Sequence, residues 1–201
     1  MFRDIFTTKR LCRAGVIAAL YVALCYAFMP VAYQGMFQIR PAEALCVLPL
    51  FFPEAVPALY VGCMLANLTS PFVIYDVFIG SLATLVGAML TAVIGHLLRN
   101  RDSVSAHVAK VGIGGIFPVL ANAFVIPLVI VLLCNDLSAT SLVSWGTDTV
   151  AWAYWINFIS LFVTEAIWVY ALGTPVYLFI LRMRKRNVRI FLDGKKPSPN
   201  K

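Results

Sequence analysis

The chain has 201 residues, of which 61% are hydrophobic and only 12% are charged, where ordinary soluble domains carry about 25% charged residues. With a mean hydropathy of +0.87 it has too little polar surface to cover a fold in water, and lipid must take that role. The formal net charge of +7 gathers at the ends of apolar runs, the pattern that orients membrane spans, and this argues against nucleic acid as a partner.

In chain order, four basic residues precede Ala14. The first apolar run, about 11–33, is too long for a signal-peptide core and lacks a small-residue cleavage site after it, so it predicts helix 1. Two small-residue stripes run along it, Ala14 with Ala18, and Ala19 with Ala23 and Ala27. Such spacing lets another helix approach closely in lipid, where packing drives association. The stripes serve either the bundle itself or a partner subunit, and the partner is the sharper reading.

The second apolar run, 41–69, decides the number of spans. Taken as one helix it gives five crossings, and the basic Arg99–Lys110 segment and the Arg-rich tail then lie on the face opposite the N-terminus, against the positive-inside rule. Pro49, Pro53 and Pro57 sit in its middle, and proline breaks a helix by removing a donor and clashing backwards. The run therefore divides into helices at about 42–52 and 54–69. Each is short for a hydrocarbon core of about 30 Å and tolerable only where other helices shield it. Further helices follow at 72–98, 111–134 and 150–182, then a basic tail, 183–201. The expected fold is all-α: one integral membrane domain over 1–201, a bundle of six transmembrane helices with both termini cytoplasmic, multi-pass in the cell membrane. Outer loops are expected at 34–41, 69–72 and 135–149, the last carrying Asp136 and Asp148 and no basic residue.

Charge inside an apolar span marks a functional site by default. Arg40 and Glu43 flank the outer start of helix 2, Asn67 lies near the outer end of helix 3, and Asp76 begins helix 4. Asn122 falls near the middle of helix 5, and Glu165 lies well inside helix 6. Polar groups from five helices thus converge on an outward-facing pocket. Plainer readings compete. Glu43 after Pro41 is a first-turn acid favoured by the helix dipole, or simply pairs with Arg40, and Asp76 at a span end is merely wetted. Glu54 after Pro53 fits the first-turn role on the inner side and is left out of the site. Glu165 has no such excuse and must be paired, protonated or bound to ligand. Phe158, Phe162 and Glu165 share one helix face, with Asn157 and Leu161 on an adjacent stripe, so an aromatic face borders a buried carboxylate, which suits a flat ligand carrying donors. Trp152 and Trp155 belong either to an interfacial belt or to the pocket rim.

The five cysteines show no C-x-x-C spacing and read as free, small apolar residues. His96 and His107 lie in or beside the basic segment, so no metal site, cofactor or catalytic group is expected. There is no G-x-x-x-x-G-K-[ST], H-E-x-x-H or G-x-S-x-G, and Gly112, Gly114 and Gly115 open a span with no strand before them. A membrane enzyme built on Asp76, Glu165 and His96 is disfavoured because His96 and Asp76 fall at opposite ends of helix 4. The rival transporter readings are a stand-alone carrier and a binding subunit for another small vitamin-like solute.

The strings Phe37-Gln-Ile-Arg40-Pro-Ala-Glu43-Ala-Leu and Leu48-Pro-Leu-Phe-Phe-Pro-Glu54-Ala-Val-Pro57 resemble the start of the QueT family. Gly62-Cys-Met-Leu-Ala-Asn67-Leu, Asp76-Val-Phe-Ile-Gly80-Ser-Leu-Ala-Thr84-Leu, Asn122-Ala and Thr164-Glu165-Ala continue the pattern over roughly residues 10–182. The resemblance implies a substrate-binding S component of an energy-coupling-factor (ECF) transporter for queuosine precursors such as preQ1, preQ0 or queuine. It also implies an alanine-rich first helix docking a transmembrane partner, and two separate ATPase subunits. Under it, Glu165 or Glu43 would accept the parallel donors of a 7-deazaguanine edge, and Arg40, Asn67 or Asn122 would donate to its carbonyl. Asp76 would meet the aminomethyl arm of preQ1, and an aromatic side chain would stack on the ring.

Overall fold

The computed structural model describes residues 7–32, 39–70, 73–134 and 149–192. These form six principal helices and no strand: α1 (Thr8–Ala27), α2 (Pro41–Leu50), α3 (Ala55–Asn67), α4 (Val73–Leu97), α5 (Val104–Leu133) and α6 (Val150–Lys185). A turn at Met29–Ala32 follows α1, and a short 3-10 turn at Arg189–Phe191 follows α6. Four of the helices, α1, α4, α5 and α6, are long and apolar enough to cross a membrane, so the protein is an all-α membrane bundle. Most of the expected outer loops, with Asp136 and Asp148, and the tail beyond residue 192 lie outside the described residues.

The centre of the bundle is α2, a 3-10 helix of ten residues, every one of them buried. Proline explains the geometry: Pro41 starts the helix, and Pro49 inside it cannot donate the backward hydrogen bond that an α-helix needs. With three residues per turn, α2 is a prism with three edges. Ala42, Leu45 and Leu48 pack with Ile17, Tyr21 and Leu59 of α1 and α3. Val47 and Leu50 pack with Val119, Val169 and Tyr177 of α5 and α6. The third edge is Glu43, Cys46 and Pro49, and Cys46 Sγ donates to Glu43 Oε2 at 3.1 Å, three residues back.

A thin helix fits because its socket is cut from glycine. A Cβ on Gly95 of α4 would stand 2.5 Å from the Leu50 carbonyl oxygen, and one on Gly173 of α6 would stand 2.8 Å from Val47 Cγ1. At ten and thirteen residues, α2 and α3 each rise only about 20 Å, so neither crosses alone and the pair depends on its long neighbours. The break between them falls at Phe51–Glu54, around Pro53.

Two boundaries depart from expectation. α1 ends at Ala27, with a separate turn at Met29–Ala32, where the first apolar run extends to about 33. α5 begins at Val104, seven residues before the predicted 111, because Ser103 caps it, its hydroxyl accepting from Ala106 N at 3.2 Å. The segment expected as a basic loop up to Lys110 is thus half helix. Lys110 is buried and donates to the Arg101 carbonyl at 2.8 Å.

The basic ends of α1 and α6 close over the α2–α3 turn. Arg13 pairs with Glu54 at 2.7 Å, lies 4.2 Å above the Phe52 ring and donates to the Ile190 carbonyl at 2.5 Å. Arg184 donates to the Phe51 carbonyl at 3.0 Å with its guanidinium 5.1 Å from both phenylalanine rings. Lys9 holds the Leu192 carbonyl at 3.0 Å. The glutamate expected as a mere first-turn acid is the fully buried anion of this clasp.

Candidate functional site

At the N-terminal end of α2 lies a second buried polar centre. Arg40, Glu43, Asn67, Asp76, Asn122 and Glu165, the six polar residues expected to converge, are all buried. The positive charge of Arg40 lies within electrostatic reach of both Asp76 and Glu165, and Glu43 and Glu165 sense one another. Four charged side chains from α2, its preceding residue, α4 and α6 therefore form one cluster.

Each carboxylate is held differently. Glu43 is 1% exposed and has both oxygens occupied by the protein, Oε1 accepting from Tyr21 Oη at 2.7 Å and Oε2 from the Cys46 thiol. Glu165 accepts from a single amide nitrogen, Asn122 Nδ2, at 3.1 Å to each oxygen. An ionised carboxylate offers about four acceptor sites, so Glu165 keeps capacity to spare. Asp76 accepts from the Ser70 hydroxyl on Oδ2, while its buried Oδ1 has no hydrogen-bond partner.

Asp76 sits where α4 widens into a π-turn, Asp76–Gly80, a distortion that recurs at functional sites. The Asp76 carbonyl accepts the π-turn bond from Ser81 N and a second bond from Asn67 Nδ2 at 2.8 Å. That contact makes Asn67 a positioning residue whose amide is spent on the backbone. A second π-turn, Trp168–Leu172, follows Glu165 in α6.

Phe158 stacks on Phe162 at 6.2 Å and meets Phe124 of α5 at 4.8 Å, and Phe124 is itself half exposed on the bundle's outer surface. Phe162 packs against the Val47–Val169 core. Phe158 thus borders α5, and Phe162 borders the core around α2. Trp152 and Trp155 are exposed at the start of α6. Sequence reasoning missed Tyr21, Cys46 and Ser70, the donors to Glu43 and Asp76. The spacing Ile17, Tyr21, Cys25, all buried, carried the signal for the first.

An apolar groove of about 430 Å³ between α4 and α5, lined by Leu82, Val86, Leu90, Phe117 and Phe124 among others, contains none of these polar residues. Among the described residues no group of three or more His, Cys, Asp or Glu could hold a metal ion.

The small-residue stripes of α1 separate. Ala14 and Ala18 pack inward, and a Cβ on Gly62 of α3 would stand 3.2 Å from the Ala18 carbonyl, so this stripe, expected to face a partner, binds α1 to α3. Ala19, Ala23 and Ala27 are exposed. Gly15 extends their line by one turn, with nothing within 4 Å of its would-be Cβ.

The family model for QueT transporters matches residues 11–182. The chain belongs to the QueT transporter family. That span takes in all six helices from within α1 to within α6, and with them every residue of the polar centre. It makes this a membrane transporter protein for a small molecule. No curated protein and no solved structure matches the chain significantly.

Proposed function

We propose that this QueT-family protein is the substrate-binding S component of an ECF-type transporter, that its ligand is a queuosine precursor, and that separate subunits hydrolyse ATP. The observation that carries the reading is the Glu165–Asn122 pair: a carboxylate deep in a 36-residue helix, with acceptor capacity left over beside Arg40. A 7-deazaguanine presents its ring N–H and exocyclic amine in parallel, and one carboxylate accepts both. Glu165 suits this better than Glu43 because one side chain, Asn122, serves both of its oxygens, whereas Glu43 is held by two separate donors, Tyr21 and Cys46. Arg40 is the donor for the ring carbonyl. Asn122 orients Glu165, and Asn67 shapes the turn that carries Asp76.

The rest of the molecule supports the same assignment. With the basic clasp at the cytoplasmic face, as the positive-inside rule requires, the polar centre opens toward the outside of the plasma membrane. The exposed line Gly15, Ala19, Ala23, Ala27 offers a transmembrane partner a surface without projecting side chains. The test is calorimetric titration of the detergent-purified protein with preQ1, preQ0, queuine and guanine. Saturable binding of a deazapurine, tighter than guanine, is the expected result. No heat with any of them, from protein that melts cooperatively, would return the ligand to another class of solute.

A further inference from the structure

The basic residues at the clasp end of the bundle divide into two sets. Arg13, Arg184 and Lys9 hold groups of the protein itself. Arg182, Lys185 and Arg186 do the opposite: they are exposed, and among the described residues their side chains have no hydrogen-bond or ion-pair partner. The helix sorts the two sets. Gly173, Tyr177 and Ile180 are buried, and Arg184 continues their side. Leu178, Phe179, Arg182, Lys185 and Arg186, spaced by three and four residues, share the exposed face. Along that face the side chains change from apolar to cationic within about one turn, roughly 5 Å. No acid interrupts it, since after Glu165 the next acidic residue in the sequence is Asp193.

A Schellman turn folds the chain back after α6. Asn187 takes a left-handed φ of 56°, which asparagine tolerates better than most residues. Its N–H donates to the Arg184 carbonyl at 3.0 Å, and Val188 N–H donates to the Met183 carbonyl at 3.2 Å. Residues 188–192 then form a strap across the bundle end. Phe191 meets the rings of Phe52 and Phe179, while Arg13 and Lys9 hold the carbonyls of Ile190 and Leu192. Phe191 is thus packed, and Val188 and Ile190 are left 37% and 59% exposed. Two apolar side chains and three unpaired cations therefore share the end of a spanning helix. Water penalises the first and hydrocarbon the second, and the level where phosphates meet acyl chains suits both.

We propose that this end of α6 is a binding surface for anionic phospholipid. Arg182, Lys185 and Arg186 take the phosphate oxygens of the headgroups, and Phe179, Val188 and Ile190 lie against the acyl chains. Guanidinium groups grip phosphate through paired N–H donors. A lipid of net negative charge, unlike phosphatidylcholine, carries no cation of its own beside that phosphate. An acidic protein would meet the cations but leave Phe179 uncovered, and free phosphate would leave all three apolar residues uncovered. Because Arg13 and Lys9 tie down the strap, a lipid bound here also braces the clasp around Glu54. The surface lies at the clasp end, away from the polar centre, and does not depend on the solute carried.

Thermal melting of the full-length protein in detergent tests this, with phosphatidylglycerol, phosphatidylcholine or inorganic phosphate added. Phosphatidylglycerol should raise the melting temperature about 5 °C more than an equal mole fraction of phosphatidylcholine, and inorganic phosphate should leave it unchanged. That excess should shrink at least about twofold when salt is raised from about 0.05 M to about 0.5 M, because the contact is at the surface. Arg182→Gln, Lys185→Gln and Arg186→Gln together should abolish the excess. Without lipid this variant should melt within about 2 °C of wild type, since the three side chains bond nothing else. Val188→Ser with Ile190→Ser keeps the charges and should reduce the excess. Equal shifts of the wild type with the two lipids would overturn the proposal, whatever the variants do. So would an excess that survives the triple substitution, or one reproduced by inorganic phosphate, which would make this a site for a free anion. No lipid preference, together with lost uptake in cells carrying the triple variant, would give the surface to an acidic protein instead.

Discussion

Two buried charge centres sit at the two ends of α2, built from the same residue types and finished differently. At the Phe51–Glu54 end, Arg13 pairs directly with Glu54 and rests on Phe52, and Arg184 caps a carbonyl. At the Arg40–Glu43 end, three carboxylates take up hydroxyl, thiol and amide donors, and each end leaves one buried carboxylate oxygen without a hydrogen-bond partner, Glu54 Oε2 at the first and Asp76 Oδ1 at the second. Ion pairing with the protein's own side chains makes the first centre a fastening. Carboxylates held by hydroxyl, thiol and amide groups make the second a place where a ligand can still contribute.

The sharpest way to break this contrast is to remove a cation from the fastening. Arg13→Ala strands Glu54, which is wholly buried, and breaking a buried pair costs about 3–5 kcal/mol. The purified protein should melt well below wild type while the folded fraction keeps its ligand affinity. An unshifted melting temperature would mean the clasp holds nothing. Next comes the unfinished centre. Glu165→Gln should lower ligand affinity at least tenfold, about 1.4 kcal/mol, and leave the melting temperature unchanged or higher, since a poorly compensated buried charge has been removed. Unchanged binding would take Glu165 out of the site, and a fall in melting temperature as large as that of Arg13→Ala would make the two centres alike. The smallest effect on the isolated protein is expected at Gly15→Leu. Nothing lies near that position, so stability should move by less than about 0.5 kcal/mol and ligand binding not at all. Uptake in cells should nevertheless fall if a partner helix docks there, and uptake at the wild-type rate would place the partner elsewhere.

How much of this could be read from the residues follows from what each signal encodes. Charges in apolar spans are costly wherever they lie, so Glu165, Asn122, Arg40 and Glu43 stood out before any geometry was known, and Pro53 marked the α2–α3 break by its chemistry alone. Tyr21 did not stand out, because a tyrosine in an apolar helix reads equally as a lipid-facing or a buried residue. Only the neighbour across the helix pair turns its hydroxyl into a donor for Glu43. The π-turn at Asp76 left no trace in spacing, since one widened turn shifts the periodicity by less than natural scatter. Phe158 shows the limit of face arguments: its stripe does not name the neighbour it meets, which is Phe124 of α5. Ala18 and Ala19 are adjacent in sequence, and one meets α3 while the other is exposed.

The geometry of α2 also governs which changes of length the chain can absorb. With three residues to the turn, one residue added or lost between Pro41 and Leu50 would rotate everything beyond it by about 120°. Depending on where the change falls, either Glu43 or Leu50 would then present its neighbours with the wrong edge. Three residues added together would restore the edges but push the Phe51–Glu54 turn about 6 Å along the axis, away from Arg13 and Arg184. Point substitutions can be tried one by one along this segment, but insertions and deletions cannot, and the distance between the ligand centre and the clasp is fixed by counting.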